Sequence, residues 1–493
     1  MNLWKIYDER EYWGIHNFDE ILAIGKPIIP KNHQKRIENL ETCKLLYDGD
    51  RDLLTKYYLD ELIKYGVFNE DTYNGKMIIN NYCKKATRDL ISLSLSSNPS
   101  ITADKKNDNI KLMNWIKEKN IYKKLIEKIF VWCHVSGNCF VHIIPKDGLY
   151  NGFQVLNTEQ VFPITDEIDG TLKGYVSITR YNQGDTKKAR YLISEWGIDS
   201  VYDVELNGDK IVNIQLIGSK KTGIDGFSIV NFFVNEDLVN NEYGMSAYTA
   251  DAISSQSAIV KAENTIVVLQ ERYGSPIIEG PEIPEVEMEQ EGAINGCING
   301  GRIDGEGGIL QDNVRRDLMI IAKYFGNNTG TPLKIHEIKG HTDIYADFIK
   351  NNLEPQCIKA LGNMETLIQR SDKVNVDSSK ALRLLYSNAI NLAEQYCESI
   401  KGNLEWLIKN ITKLSKNTNV NVVFFPGIAD TVEERAAFAS SRVENGTYSI
   451  IDSIMYQDNL SEEDAIRKYE KIKEYNIKYP KNFIEKVEEI KEV

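Results

Sequence analysis

The sequence of 493 residues contains no run of 18 or more apolar residues, which argues against a membrane-spanning helix. Its first segment, MNLWKIYDEREYWG, mixes both charges and has no apolar core, so no signal peptide is expected. The seven cysteines form no CxxC pair and are odd in number, which argues against a disulfide framework or a zinc site. We expect buried free thiols in a reducing cytosol.

Sequence signatures of catalysis are also missing. There is no GxxxxGK[ST] phosphate loop and no GxSxG motif. HEIKGH at 336–341 has one residue too many for a zinc-binding HExxH, and its glycine disfavours a helix. DEIDG at 166–170 lacks the oxygen ladder of a calcium loop and predicts a hairpin turn, while the glycine-rich run 292–308 predicts a loop. No catalytic residue, metal site or cofactor is predicted.

The charge balance limits the kinds of partner. A net charge of −13 argues against a surface that clamps nucleic acid through counterion release, but it permits a protein that touches DNA without holding it. The apolar fraction of 42% and charged fraction of 27% are those of a soluble globular protein. The length predicts two to four structural units, since one core rarely grows this large.

Hydrophobic periodicity in the first half predicts an α+β, mainly helical chain. Helical patterns cover 34–49, 74–97 and 108–137, the second stopping before Asn98-Pro99 and the third at Gly137. Short alternating runs from Cys139 to Val234 predict an antiparallel β region, in which Asn207-Gly208 indicates a type I′ hairpin.

The second half predicts long helices. One begins at Ser246 as N-cap and is rich in Ala and Ser; another covers 342–369 with a kink or break at Pro355. A helix over 378–413 would be about 54 Å long. It carries one apolar stripe: Leu385, Ala389, Leu392, Tyr396, Ile400, Leu404, Leu407, Ile411 and Leu414. A strand follows in NVNVVFFPG, and helices separated by NGTYS follow from Thr431.

The polar segment 370–377 lies between two of these helical patterns. From the residues alone it fits an ordinary helical hairpin packed in a core. It equally fits a loop held out into a space through which something passes.

The order of motifs resembles phage portal proteins of the SPP1-like family over roughly residues 35–475. SGNCFVHIIPKDGLYNGFQVLNTEQVFPITDE resembles the wing, and NEYGMSAYTADAISSQSAIVKAENTIVVLQERYGSPIIEG resembles the stem helix leading to the clip. The segment from LKIHEIKG to NLAEQY resembles the second stem helix, tunnel loop and tunnel helix. VFFPGIADTVEERAAFASSRVENGTYSIIDSIM is similar to the closing strand and the segment before the crown.

The resemblance implies a portal fold with wing, stem, clip and crown in a ring-forming subunit. Its parts would be an N-terminal wing 1–245 (helical, then antiparallel β over 139–235), stem helix 246–273, clip 274–341, second stem helix 342–369, tunnel loop 370–377, tunnel helix and return strand 378–430, and crown helices 431–493.

The resemblance also implies roles for particular residues. Tunnel-loop residues at the DNA channel would be Arg370, Ser371, Asp372, Lys373, Asn375 and Asp377. The clip residues facing terminase or adaptor would be Glu282, Glu285, Glu287, Glu289, Arg315 and Arg316. Ring packing of the stem would use Ala247, Ala250, Ser254 and Ala258.

The implied function is a non-enzymatic channel at the capsid vertex of the virion, through which double-stranded DNA is packaged and ejected. Its partners would be about eleven further copies of itself, non-specifically bound DNA, the terminase large subunit, the major capsid and scaffolding proteins, and a head-completion or tail adaptor. Assembly would take place in the cytoplasm of the host bacterium, and no membrane partner is expected.

Two other classes of function stay open at this point. The chain is compatible with a monomeric head–tail adaptor or scaffold protein, in which the Ala/Ser-rich helix is only core packing. It is also compatible with a metal-dependent nucleic-acid-processing enzyme whose carboxylates are too dispersed in sequence to recognise. Ring formation would distinguish a portal from a monomeric adaptor or scaffold protein. Metal-dependent DNA cleavage would distinguish the enzyme from both.

Overall fold

The computed structural model describes residues 15–29, 33–64, 66–68, 77–183, 186–235, 242–273, 277–279, 334–336, 342–362, 386–427, 432–458 and 462–478. Its helices in chain order are α1 (Gln34–Asp48), α2 (Arg51–Lys64), α3 (Tyr82–Ser94), α4 (Lys106–Lys119), α5 (Glu127–Ser136), α6 (Ala250–Tyr273), α7 (Thr342–Phe348), α8 (Glu354–Ala360), α9 (Ser387–Ile411), α10 (Val432–Glu444), α11 (Ile450–Asp458) and α12 (Glu462–Lys478). Single π-helical segments precede α5 and α8, at Tyr122–Ile126 and Ile349–Leu353.

The strands of the described residues are all paired antiparallel. They are β1 (Ser100–Ala103), β2 (Asn138–Ile144), β3 (Gly152–Leu156), β4 (Val161–Thr165), β5 (Leu172–Gln183), β6 (Thr186–Glu195), β7 (Ile198–Asn207), β8 (Lys210–Lys221), β9 (Ile229–Phe233), β10 (Ile277–Glu279), β11 (Lys334–His336) and β12 (Val420–Val423). The chain divides into two compact units. Unit 1 comprises 1–40, 87–246 and 362–493; unit 2 comprises 41–86 and 247–361.

The predicted antiparallel β region is confirmed in unit 1. Strands β4 to β8 form a five-stranded meander in sequence order, and β3-β2-β9 form a second sheet. The predicted hairpin between β7 and β8 is also confirmed, but the predicted type I′ turn is wrong. Its central residues are Gly208 and Asp209, and only Gly208 has positive φ, at 64°. That is the pattern of a type II′ turn, because type I′ needs positive φ at both positions.

A buried polar contact joins the three-stranded and five-stranded sheets of unit 1. His142 on β2 places Nε2 3.2 Å from Oδ2 of Asp199 on β7. The Ser228 hydroxyl donates to Oδ1 of the same carboxylate at 2.5 Å, and its Oγ lies 2.9 Å from the Ser194 Oγ on β6. These groups satisfy one another away from water, as buried polar atoms must to avoid an unmade hydrogen bond.

The long helix α9 packs its predicted apolar stripe against β2, β9 and β12 of unit 1. Most of the predicted positions are buried; Leu392 is half-buried, and Leu385 lies outside the described residues, as does the predicted start at 378. The helix ends at Ile411, two residues before the predicted end. Lys413 takes a left-handed φ of 50°, and the Leu414 N–H donates to the Lys409 carbonyl, which closes the helix in a Schellman motif.

Two predicted helices are shorter or less continuous than their patterns suggest. The pattern at 108–137 is broken at Asn120, whose φ is 50°, a left-handed conformation that asparagine tolerates better than most residues. The pattern at 74–97 becomes a helix only from Tyr82 to Ser94. Residues 77–80 lie outside regular structure, because side chains of α6 take up their backbone hydrogen bonds.

The predicted helix over 342–369 ends at Ala360, and Gly362 follows with a φ of 96°. The break expected at Pro355 takes the form of the π-helical segment Ile349–Leu353 immediately before it. Proline lacks the N–H that the preceding turn needs, and widening that turn is one way to accommodate it.

Other expectations agree with the described residues. Helix α1 ends at Asp48 before Gly49, NVNVV supplies strand β12, and NGTYS separates α10 from α11. DEIDG forms the hairpin turn between β4 and β5, where the ion pair with Lys173 lowers the pKa of Asp166 to about 2. Six cysteines are buried thiols, as predicted; Cys297 lies outside the described residues.

Candidate functional site

The helix expected to line a ring, α6, begins at Ala250 rather than after Ser246. The Ser246 hydroxyl donates to the Val135 carbonyl at 2.6 Å, so it does not cap the helix. The cap is Thr249, whose Oγ1 accepts the Ala252 N–H at 3.3 Å. The expectation of Ser246 as N-cap was therefore wrong, because that side chain is engaged by a segment distant in sequence.

Of the four residues predicted for ring packing, the three that belong to α6 lie away from its buried side. Ala250 and Ser254 are exposed, and Ala258 is half-buried. Ala247 is also half-buried but precedes the helix. Positions 250, 254 and 258 are four residues apart and share one face, which leaves a surface of small side chains that another helix can approach closely.

The buried side of α6 carries two amides that sequence reasoning missed. Asn264 accepts the Ile78 N–H at 3.0 Å and donates to the Ile78 carbonyl at 2.8 Å. Gln256 accepts the Tyr82 N–H at 2.8 Å and donates to the Asn80 carbonyl at 2.5 Å. These bonds replace the backbone partners that residues 78–82 lack, and they fix this segment along the helix.

A pair of carboxylates lies at the same place in unit 2. The Asn80 amide donates to Glu263 on α6 at 2.5 Å, and the Tyr82 hydroxyl donates to Glu354 on α8 at 2.7 Å. Burial, with the nearby charge of Glu354, raises the pKa of Glu263. Burial and the bond to Glu354 raise the pKa of Tyr82. The arrangement holds α6, α8 and the segment 80–82 together, and nothing in it resembles a nucleophile with its base.

The core of unit 2 beneath this cluster is built from tyrosines and thiols. The Tyr248 hydroxyl donates to the Cys83 carbonyl at 2.8 Å, and Cys43 lies 3.9 Å from the Tyr248 carbonyl. Burial raises the pKa of the Cys357 thiol to about 12. Thiols held in this protonated form are poor nucleophiles and poor metal ligands, so they serve packing.

The other predicted site residues lie outside the described residues. This applies to the tunnel loop Arg370, Ser371, Asp372, Lys373, Asn375 and Asp377, and to the clip residues Glu282, Glu285, Glu287, Glu289, Arg315 and Arg316. It also applies to the glycine-rich run 292–308. Of the predicted clip, 274–341, only the short pair β10–β11 is described.

The described ranges lack two features that would point to other functions. No group of three or more His, Cys, Asp or Glu residues there is arranged to hold a metal ion. No helix within those ranges has the length and apolarity that a bilayer crossing requires.

The succession of the described elements follows the order that the resemblance implied. A helical and antiparallel β region leads into a long helix with an exposed row of small side chains, and a proline-broken helix precedes a second long helix that returns to a strand. This is the order expected of a phage portal subunit.

The family model described as "Phage portal protein, SPP1 Gp6-like" matches residues 27–273, half of the chain. The chain therefore belongs to the family of SPP1 Gp6-like phage portal proteins. The family is structural, and membership implies an oligomeric assembly at the capsid vertex of a virion. A comparison with curated proteins finds no match.

Proposed function

We propose that this chain forms a ring of about twelve copies around a channel through which double-stranded DNA is packaged and ejected. The observation that carries the proposal is the family match over 27–273, which includes all of α6. In the ring, α6 of each copy contacts the next copy through Ala250, Ser254 and Ala258, with Ala247 at the start of the contact. Small side chains suit this contact because they let helix backbones approach closely.

The loop 370–377 is proposed to project into the channel. Arg370 and Lys373 reach DNA phosphates, Ser371 and Asn375 offer neutral hydrogen bonds, and Asp372 and Asp377 oppose tight capture. Twelve copies at −13 each give a particle of roughly −150, so DNA meets net repulsion apart from these local cations. Weak, salt-sensitive contact suits a duplex that must slide.

The acidic stretch 279–291 is proposed to lie on the clip and to meet the terminase motor. Glu282, Glu285, Glu287 and Glu289, with Arg315 and Arg316, form that face. The wing and crown meet the capsid, scaffolding and head-completion proteins. Catalysis of packaging belongs to the motor, because ATP hydrolysis needs a phosphate loop that this sequence lacks.

The first test is the native mass of the purified chain. A ring of twelve 56.3 kDa subunits has a mass of about 675 kDa. We expect that mass, with a central hole in negative-stain images. Replacing both Ser254 and Ala258 by Arg should abolish the ring, because two long cations per subunit separate the helices, while the subunit itself stays folded because the side chains of both residues are at least partly solvent-accessible.

The matched control is Asn107→Arg with Asn114→Arg, two exposed positions on α4 that add the same charge. This control should keep the ring mass. A wild-type monomer would favour the adaptor reading, and metal-dependent DNA cleavage by the purified chain would favour the enzyme reading. Equal loss of the ring in both double variants would show that charge alone, rather than the α6 face, governs assembly.

The loop is tested by replacing Arg370 and Lys373 with Ala in an otherwise intact ring. We expect unchanged ring mass and a several-fold change in the DNA retained per head, because two cations per subunit leave the channel. The control, Lys117→Ala with Lys119→Ala, removes the same charge from exposed positions of α4. Normal packaging and retention in the Arg370/Lys373 variant would remove the loop from the mechanism.

A further inference from the structure

The outer edge of the five-stranded sheet in unit 1 is incompletely covered. Strand β8 is last in the sheet order, and within the described residues β7 is the strand that pairs with it, apart from an isolated bridge between Pro27 and Lys210. Within the described residues, the segment 25–28 covers the first end of its outer edge: the Gly25 N–H donates to the Ile211 carbonyl at 2.8 Å, and the Ile211 N–H donates to the Lys26 carbonyl at 3.0 Å. The outer edge of β8 therefore accepts an extended chain at this end. Residues 212–221 of β8 continue beyond the part that segment 25–28 covers.

The uncovered part of this edge has the composition of an edge strand that can pair with another chain. Residues 212–218, VNIQLIG, carry no charge and no proline. Val212, Leu216 and Ile217 are 52%, 53% and 53% exposed. Natural proteins normally protect exposed edges with charge, proline or a covering segment, since an unprotected edge pairs with other chains. Only Lys220 and Lys221, at the far end, provide such protection.

The chain itself indicates which segment reaches this edge. Residues 15–29, the strap, cross the five-stranded sheet: the Thr165 N–H of β4 donates to the Ile15 carbonyl at 2.9 Å, and the Ile28 N–H donates to the Asp209 carbonyl beside β8 at 2.9 Å. The strap buries Ile15, Ile21 and Ile28 in the core of that sheet. Residues 1–14 therefore join the described chain at the β4 side, about 19 Å from β8 across four strand spacings.

We propose that residues 1–14 of one subunit add a strand to the open edge of β8 in the next subunit of the ring. This inference rests on the proposed ring, and it requires that the head-to-tail contact bring the β4 side of one copy toward the β8 side of its neighbour. Pairing of β8 with a second β8 would be two-fold and would close a dimer instead.

Length and charge agree with this occupant. Residues 1–14 span at most about 46 Å when extended, and residues 212–221 need about 33 Å. The segment contains two Trp, two Tyr and one Ile, residue types that favour strands. Its carboxylates, Asp8, Glu9 and Glu11, outnumber Lys5 and Arg10, and the strand that receives it carries Lys210, Lys220 and Lys221 with no acid. Backbone hydrogen bonds between the two strands would supply the affinity, and these charges would set the register of the pairing.

The experiment uses two complementary chains expressed together. One chain keeps residues 1–14 but carries Lys210→Gln, Lys220→Gln and Lys221→Gln; the other keeps β8 but lacks residues 1–14. A carbodiimide joins carboxylates to lysines without a spacer, so a cross-link between the two segments forms only between subunits. We expect that cross-link in the co-expressed ring, and its absence when either chain is expressed alone.

A second variant pair tests the edge itself in the full-length ring. Val212→Arg with Ile217→Arg should lower the cross-link yield roughly tenfold, because charged side chains block strand addition and arginine does not react with the carbodiimide. The control, Leu149→Arg with Ile168→Arg, introduces the same charges at positions 71% and 96% exposed and should leave the yield within about twofold.

The outcomes separate this inference from the ring itself. A ring of full mass with no cross-link in the co-expressed sample overturns the inference and leaves the proposed function standing. A cross-link in wild type that disappears on co-expression places the segment within its own subunit and also overturns it. A monomeric sample by native mass contradicts the proposed function instead.

Discussion

Gly137→Ala should destabilise unit 1 by more than about 4 kcal/mol, enough to leave little folded protein. Gly137 has a φ of 78°, and an added Cβ would lie 2.1 Å from the Gly244 carbonyl oxygen and 2.6 Å from its carbon. Both colliding atoms are backbone, so no side chain can turn aside. Tryptophan fluorescence in urea measures this effect in unit 1, because all six tryptophans belong to it.

The surroundings of this contact prevent the backbone from moving apart. Asn138, next to Gly137, accepts the Gly244 N–H at 2.8 Å and donates to the Glu242 carbonyl at 3.2 Å. Asn231 donates to the same carbonyl at 2.7 Å. Separating the two glycines would break these buried bonds, which adds their loss to the steric cost.

Substitutions at two other glycines separate the cost of the positive φ from the cost of the steric clash. Gly208→Ala keeps the unfavourable φ of 64° in open space and should cost about 1 kcal/mol. Gly218→Ala has ordinary φ and nothing within 4 Å, and should change stability by less than about 0.5 kcal/mol. If all three variants unfolded at similar urea concentrations, the close contact between Gly137 and Gly244 would have no energetic weight.

This contact shows what the sequence can and cannot provide. A glycine at the end of the helical pattern predicted the end of α5 correctly, since that inference needs only local conformation. The partner, Gly244, lies more than 100 residues away, and no local pattern links the two. Strand β1 was missed for the same reason: its four residues are a strand because β12 pairs with them from Val420–Val423.

Elements that bury one face of their own were predicted well, and elements fixed by a distant side chain were not. The stripe of α9 and the short apolar runs between turn signals in β2 to β9 are recognisable as a helix and as strands without knowledge of their partners. Ser246 and residues 77–80 depend instead on Val135, Gln256 and Asn264. Gln256 and Asn264 fall at four-residue spacing with Ala252 and Val260, and two amides on that stripe were the available signal.

The residues of the candidate site also differ in how far the sequence alone identifies them. The small residues of α6 were recognisable as a face because 250, 254 and 258 repeat at helical spacing. Their exposure in the subunit agrees with a contact to another copy, while ring packing itself stays a prediction. The loop 370–377 and the clip residues offer no periodicity, and their assignment comes from resemblance alone.

Acid should destabilise unit 1 through His134, by roughly 2 kcal/mol at pH 5 relative to neutral pH. The imidazole is fully buried, with Nδ1 2.9 Å from the Thr87 hydroxyl oxygen and its ring 5.8 Å from that of Tyr396. Burial lowers the pKa of His134 from 6.5 to about 3. Between pH 6.5 and pH 3, His134 binds a proton in the unfolded chain but stays neutral in the folded chain. The free energy of unfolding therefore keeps its full contribution from His134 above pH 6.5 and loses it progressively as the pH falls toward 3.

His134→Gln isolates this contribution, because an amide can still hydrogen-bond Thr87 but does not titrate. The variant should be less stable at pH 7, since its side chain fits the aromatic site less well. Its free energy of unfolding should then fall less than that of wild type between pH 7 and pH 5, by roughly 2 kcal/mol. Carboxylates contribute equally to both proteins, so the difference between the two urea series belongs to His134. Parallel pH dependences would mean that the folded protein accommodates the protonated ring.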